Sequence, residues 1–236
     1  MSQLHLLGER RFWPLFWTQF LGAFNDNLFK NALVILVAYR SMTLLGLSSK
    51  TIVVACAGIF IFPFFLFSAT AGQLSDRYQK WRLIRWVKVW EIGVMALAGV
   101  GFATDNLGLL LVVLFLMGMQ STFFGPAKYA ILPELLDSTT LVGGNALVAM
   151  ATFLAILVGT ITGGLVVAGG DRWISRLGLM VVIVAVAGYV TSLFITKLPA
   201  ANPDLPFKLN PVTPTIDILR VARGVRSVFL SIQIRA

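Results

Sequence analysis

Four stretches of the chain, residues 51–75, 106–127, 138–170 and 177–196, contain no Asp, Glu, Lys or Arg. Each is about 20 residues or more, and a helix of that length crosses a hydrocarbon core of ~30 Å. Two further apolar segments are interrupted by charge. One is 12–39, and the other is 86–103, where Lys88 and Glu91 lie near one end at an i,i+3 spacing. The pattern predicts six spanning helices. Helices satisfy their backbone hydrogen bonds internally, which irregular structure in lipid cannot do. Hydrophobic residues make up 58% of the 236 positions, in keeping with an all-α polytopic membrane protein.

The first segment carries the most informative exception. Asp26 and Lys30 sit four residues apart within it, in the run Asn25-Asp26-Asn27-Leu28-Phe29-Lys30. A charge at the centre of a bilayer costs about 2.5–3.5 kcal/mol on insertion scales. Positions i and i+4 share a helix face, so the two side chains are placed to neutralise each other. Counting back along that face gives Ala23 and Gln19, a stripe polar at three of four positions. Such a stripe predicts a water-filled pathway, with a purely structural Asp26–Lys30 pair as the alternative.

Charge placement predicts the orientation. With the N-terminus inside, fourteen of the nineteen Lys and Arg fall on the cytoplasmic side, counting Arg77, Lys80, Arg82, Arg85 and Lys88 around the second connection. Arg40, Lys50, Arg172 and Arg176 fall outside, and Lys30 lies within the membrane. This positive-inside bias predicts cytoplasmic termini. The first apolar segment is too long for a signal peptide and no small-residue cleavage site follows it, so no cleaved leader is expected. It accounts for the net charge of +9 without nucleic acid, because the cations lie in short loops. Cys56 reads as a buried small hydrophobe and His5 is the one histidine, in the N-terminal tail, so no metal site and no cofactor are expected. Trp13, Trp17, Trp86 and Trp90 fall near the expected membrane surfaces and read as anchors.

The second connection reads Gly72-Gln73-Leu74-Ser75-Asp76-Arg77-Tyr78-Gln79-Lys80-Trp81-Arg82. Gly72 is expected to permit close helix approach and Asp76 to accept from a helix N-terminus. The run resembles the loop signature of the major facilitator superfamily, with Gln79 where that signature has a second Gly and Trp81 where it has a second cation. Two longer runs extend the likeness. Residues 18–32, around Asn25-Asp26-Asn27-Leu28-Phe29-Lys30, and residues 120–135, around Phe124-Gly125-Pro126-Ala127-Lys128-Tyr129, resemble the bacterial lysophospholipid transporter family of that superfamily. Leu141-Val142-Gly143-Gly144-Asn145-Ala146 continues the second run. The likeness covers residues 10–232 and is strongest to members fused to a phospholipid acyltransferase and an acyl-carrier-protein synthetase.

The resemblance implies inward movement of lysophospholipids across the cytoplasmic membrane for reacylation; the alternatives are a superfamily transporter for another amphiphile or drug, or a non-transporting membrane module left from a transporter–acyltransferase fusion. It also implies that the first and fourth helices line the cavity. The expected pathway residues are Gln19, Asn25, Asp26, Lys30, Gln120, Lys128 and Asn145, with Lys128 meeting the phosphate. For Lys128 the alternative is interfacial snorkelling, and for Asn145 an interhelical hydrogen bond or helix start. Gly72, Asp76, Arg77, Lys80 and Arg82 form the expected conformational motif. Gly159-x-x-x-Gly163-Gly164 predicts close helix packing. No Ser-His-Asp set, metal cluster or phosphate loop is visible, so no enzymatic chemistry is expected.

Composition divides the chain into a six-helix bundle over 1–198, a Pro-rich linker over 199–215 and a final segment over 216–236. Five of the nine prolines fall between Pro199 and Pro214. Set against a superfamily fold of twelve helices, this is one half. It is expected to be a truncated or frameshifted reading or a half-size subunit, partnered by a second six-helix half, an acyltransferase module and the bilayer.

Overall fold

Charge-poor segments set the elements, and Pro14 stands in the first turn of the first long helix. The computed structural model describes residues 3–200. After a short 3-10 turn (Gln3–Gly8) come α1 (Trp13–Tyr39), α2 (Ser49–Arg77), α3 (Lys80–Ala103), α4 (Leu107–Ala130), the single turn α5 (Leu132–Leu135), α6 (Ser138–Ala168) and α7 (Asp171–Ser192). Six of these helices are long and apolar enough to cross a membrane, the fourth span running on through α5 to Leu135. The chain is an all-α, six-span membrane protein. Two helix starts are capped by side chains: Ser48 accepts from the Thr51 N–H and Asn106 from the Leu109 N–H.

The main helix pairs are α1 with α6, α2 with α4, and α3 with α7. Small residues set these distances, as expected where lipid supplies no hydrophobic drive to associate. A Cβ on Gly159 would stand 2.6 Å from the Phe24 carbonyl oxygen, and one on Gly163 would stand 2.8 Å from that of Leu28. Gly118 packs equally tightly on the Phe60 carbonyl, joining α4 to α2. A Cβ on Gly178 would lie 2.5 Å from Gly99 Cα, joining α7 to α3. The small-residue run on α6 therefore does what its spacing predicts.

Buried apolar side chains form two separate clusters along the bundle. One contains Leu28, Phe29, Leu36, Met95, Leu114 and Leu177. The other contains Phe12, Leu15, Ile84, Ile131, Leu132 and Leu147. Between them lies a buried polar layer that includes Gln19, Asn25, Lys88, Glu91 and Gln120.

Several helix ends differ from the expectation. α2 continues through Gly72 and Asp76 to Arg77, and α3 begins at Lys80, so the connection is only Tyr78-Gln79. α3 starts ahead of residue 86 because its first turns carry cations at the polar end of an otherwise apolar helix. Lys88 is thus not a loop cation: it is fully buried on α3, which leaves thirteen cations on the expected cytoplasmic side. Gly72 makes no close approach, since a Cβ there would meet nothing within 4 Å. Asp76 is exposed and makes no hydrogen bond to a helix N-terminus among the described residues. Lys80 is buried and bonds Glu134 at 2.6 Å, tying the start of α3 to α5. At the opposite end, Arg40 bonds Asp105 at 2.7 Å and also bonds Asp171, joining the ends of α1, α3 and α7. The Asp171 bond, with Asp105 adding to it, raises the Arg40 pKa further, so this clamp stays cationic on its arginine side. From residue 201 on, the expected linker and final segment lie outside the described residues.

Candidate functional site

The helix-1 stripe reaches a cavity of about 340 Å³ within the polar layer. That volume is in the range of small-molecule sites, about 300–1,000 Å³. Gln19, Asp26 and Lys30 line it from α1, Lys88 from α3, and Gln120 and Lys128 from α4. Phe60, Phe64 and Ile156 add an apolar wall from α2 and α6. Five of the expected pathway residues therefore meet around one space. The stripe exists because α1 turns about 100° per residue, placing positions 19, 26 and 30 on one side.

Asp26 and Lys30 do not form the expected ion pair: no contact within 4.0 Å joins them. Asp26 Oδ2 instead accepts from the Ser121 hydroxyl at 2.6 Å, and its Oδ1 is buried with no partner among the described residues. The Lys30 ammonium stands 4.6 Å from the centre of the Phe60 ring. Lys128 stands 4.9 Å from that of Tyr129. Both cations are thus held by ring faces and not by carboxylates, which leaves their N–H groups available to an anion.

At the cavity wall sits a charge cluster whose assembly the sequence did not reveal. The Lys88 ammonium donates to Glu91 Oε2 at 2.6 Å, both side chains being almost wholly buried. Gln120 Nε2 donates to the same oxygen at 3.2 Å, and Asn25 Nδ2 donates to Glu91 Oε1 at 3.2 Å. Glu91 is therefore held by donors from α1, α3 and α4. Ser121 lies 3.2 Å from Gln120 Oε1, which continues the network to Asp26. Lys88 threads past Gly22 of α1, where a Cβ would collide with its ammonium, and a Cβ on Gly188 of α7 would stand 3.5 Å from it. The signal that could have flagged this cluster is the i,i+3 Lys–Glu pair within an apolar span.

The remaining expected site residues, and the amide of Gln19 on the cavity wall, have structural partners. Asn25 points away from the cavity, donating to Glu91 and to the Val181 carbonyl at 3.1 Å; it ties α1 to α3 and α7. Asn145 is exposed on α6 and donates to Leu141 O in its own helix at 3.1 Å. Gln19 is buried and bonds Val148 O at 3.1 Å and the Thr152 hydroxyl at 3.0 Å, fixing α1 to α6. Arg77 and Arg82 stack near Tyr78 and Trp81 at the α2–α3 connection, outside the cavity.

Residues 35–203 match the family described as "transmembrane secretion effector". The chain is 31% identical over 199 residues to the lysophospholipid transporter LplT of Cronobacter sakazakii, covering 83% of this chain and 45% of that protein. It is 29% identical over 200 residues to the LplT of Enterobacter sp. strain 638, with the same coverage. The LplT of Salmonella schwarzengrund is 31% identical over 196 residues. The chain spans about half the length of the curated relatives it matches. Its six apolar helices and a family match over most of its length agree, and the chain belongs to the transmembrane secretion effector family of the major facilitator superfamily.

Proposed function

We propose that the chain forms the first half of a transporter that moves lysophospholipids inward across the bacterial cytoplasmic membrane, with both termini on the cytoplasmic side. The observation that carries this reading is the composition of the central cavity. Two cations, Lys30 and Lys128, make no ion pair within 4.0 Å among the described residues, and aromatic and aliphatic side chains line the same space. A lysophospholipid needs both surfaces. Its phosphate takes charge-assisted hydrogen bonds from the lysines, and its single acyl chain lies along Phe60, Phe64 and Ile156. Asp26, with one buried oxygen unpaired, is placed to accept from an ammonium headgroup. Glu91 does not line the cavity, and Lys88, which does, is paired with Glu91. They hold Gln120, and through it Ser121 and Asp26, in position.

Alternating access of the superfamily type needs a second six-helix half around the shared site. The LplT names of the relatives and their greater length support the substrate and the second half. An acyltransferase acting on the imported lipid is the partner that this role calls for. The test is uptake of radiolabelled lysophosphatidylethanolamine in cells lacking their own uptake system, which express this chain together with a second half. Uptake above background that is lost on Lys128→Gln supports the reading. Uptake of an unrelated amphiphile with no lysophospholipid uptake would replace it.

A further inference from the structure

We propose that the groove where the ends of α2, α3 and α7 meet is a binding site for an anionic diacyl phospholipid of the surrounding membrane. Two cavities, of about 630 and 390 Å³, open there and share Arg82 and Trp86. Arg77 and Tyr78 line the first, and Trp81 and Arg85 line the second. None of their lining residues belongs to the central cavity, so this site stands apart from the proposed transport route.

The lining carries three arginines and no carboxylate. Asp76, next to Arg77 in sequence, is not part of it. None of the three arginines forms an ion pair among the described residues. Around the Trp81 ring centre stand Arg85 at 4.6 Å, Arg82 at 5.1 Å and Lys197 at 5.9 Å. Gathering like charges around one indole, with no counter-charge supplied by the fold, leaves a site complementary to an anion.

The arrangement is built, not incidental. Arg85 donates to the carbonyls of Ser192, at 3.3 Å, and Leu193, at 2.7 Å, capping α7 and fixing its guanidinium. Trp81 Nε1 donates to Leu198 O at 3.0 Å, which fixes the ring on which the cations stack. The remaining walls are apolar: Leu74, Leu83 and Val89 lie beside Trp86, which is 72% exposed. A phosphodiester with acyl chains satisfies both surfaces at the end of a spanning bundle. Guanidinium is the cation best matched to phosphate oxygens, and an indole at this depth packs against glycerol and acyl carbons.

The experiment places the purified 236-residue chain in phosphatidylcholine nanodiscs and adds brominated phosphatidylglycerol or brominated phosphatidylcholine. It reads quenching of the Trp86 signal as the difference from the Trp86→Phe variant. Phosphatidylglycerol is expected to quench at a lower mole fraction than phosphatidylcholine. Combined Arg77→Gln and Arg82→Gln should weaken that preference by about five-fold for each guanidinium removed. Arg82→Lys, which keeps the charge, should retain most of it, and Lys128→Gln in the central cavity should leave it unchanged. Equal quenching by the two lipids in the unsubstituted protein would overturn the proposal whether or not the variants fold. So would competition by soluble glycerophosphate, which would make the site one for free phosphate. Displacement by lysophosphatidylethanolamine together with sensitivity to Lys128→Gln would assign the signal to the central cavity and equally end the proposal.

Discussion

Glu91 is the side chain whose loss the bundle should tolerate least. Its carboxylate receives Lys88, Gln120 and Asn25 with no access to solvent. Removing one member of such a buried pair typically costs about 3–5 kcal/mol, because the remaining charge is left uncompensated. Glu91→Gln should therefore lower the unfolding temperature in detergent sharply, and adding Lys88→Met should restore most of the loss. Thermal denaturation of the two variants checks this, and equal melting of single and double variants would show that the pair is not coupled. Asp26 should behave differently. It makes one hydrogen bond and keeps one oxygen unpaired, so little stability rests on it. Asp26→Asn should leave melting nearly unchanged while cutting lysophospholipid uptake in the two-half protein. The loss of a charged hydrogen bond to substrate, about 1.5–3 kcal/mol, corresponds to one to two orders of magnitude. Uptake at the unsubstituted rate would make Asp26 dispensable. The place of Asp26 on a cavity was legible in the sequence, because a carboxylate in an apolar span calls for a polar surrounding. The role of Asn25 was not: one residue rotates the side chain by about 100°, from the cavity to α3 and α7. Nor could spacing show that Lys88 and Glu91 are met by groups from two other helices.

Helix packing depends on which glycines actually touch a neighbour. Gly159 and Gly163 press on backbone atoms of α1 on either side of Asn27, close to Asp26. Backbone cannot rotate away as a side chain can, so Gly159→Ala must push α6 off α1. Overpacking of this kind typically costs about 1–3 kcal/mol. The same shift would displace the Gln19 bond to Val148 and disturb the cavity wall. Gly72→Ala should do the opposite. The added methyl meets nothing, and helix propensity favours alanine by about 1 kcal/mol in a helix interior. Melting temperatures of the two variants should therefore move in opposite directions, and a large destabilisation by Gly72→Ala would mean that its helix face is covered in the assembled protein. The existence of six spans and the α6 packing motif were both legible, because long charge-free runs and small-residue spacing are local signals. The helix ends were less so. Hydropathy marks where a helix leaves hydrocarbon, whereas the hydrogen-bond ladder of α2 runs on to Arg77 and that of α3 starts at Lys80.

At the scale of the whole molecule, orientation is read from where the cations fall. The charge bias favours cytoplasmic termini even with Lys88 moved into the bundle. With Cys56 replaced, a cysteine at Asp105 should react with an impermeant maleimide added outside intact cells, and one at the exposed Arg82 should not; the reverse pattern would invert the topology. Completeness is a matter of what covers the polar layer. The cavity wall from α2 belongs to the least buried of the six spans, with Ile61, Phe62 and Phe65 exposed. Asp26, Lys30 and Lys128 are each only partly buried by the described residues. Leaving several such groups facing hydrocarbon costs a few kcal/mol each, even after snorkelling and water defects. The curated relatives supply more than twice the aligned length, enough for a second half to cover that face. The 236-residue chain alone should then catalyse no lysophospholipid uptake into liposomes, and it should self-associate through the cavity-bearing face. Addition of a second half should restore uptake and leave the chain one-to-one with it on cross-linking. Robust uptake by the chain alone would sink this prediction, unless cross-linking through cysteines placed at Lys30 and Lys128 showed that two copies had closed the cavity between them.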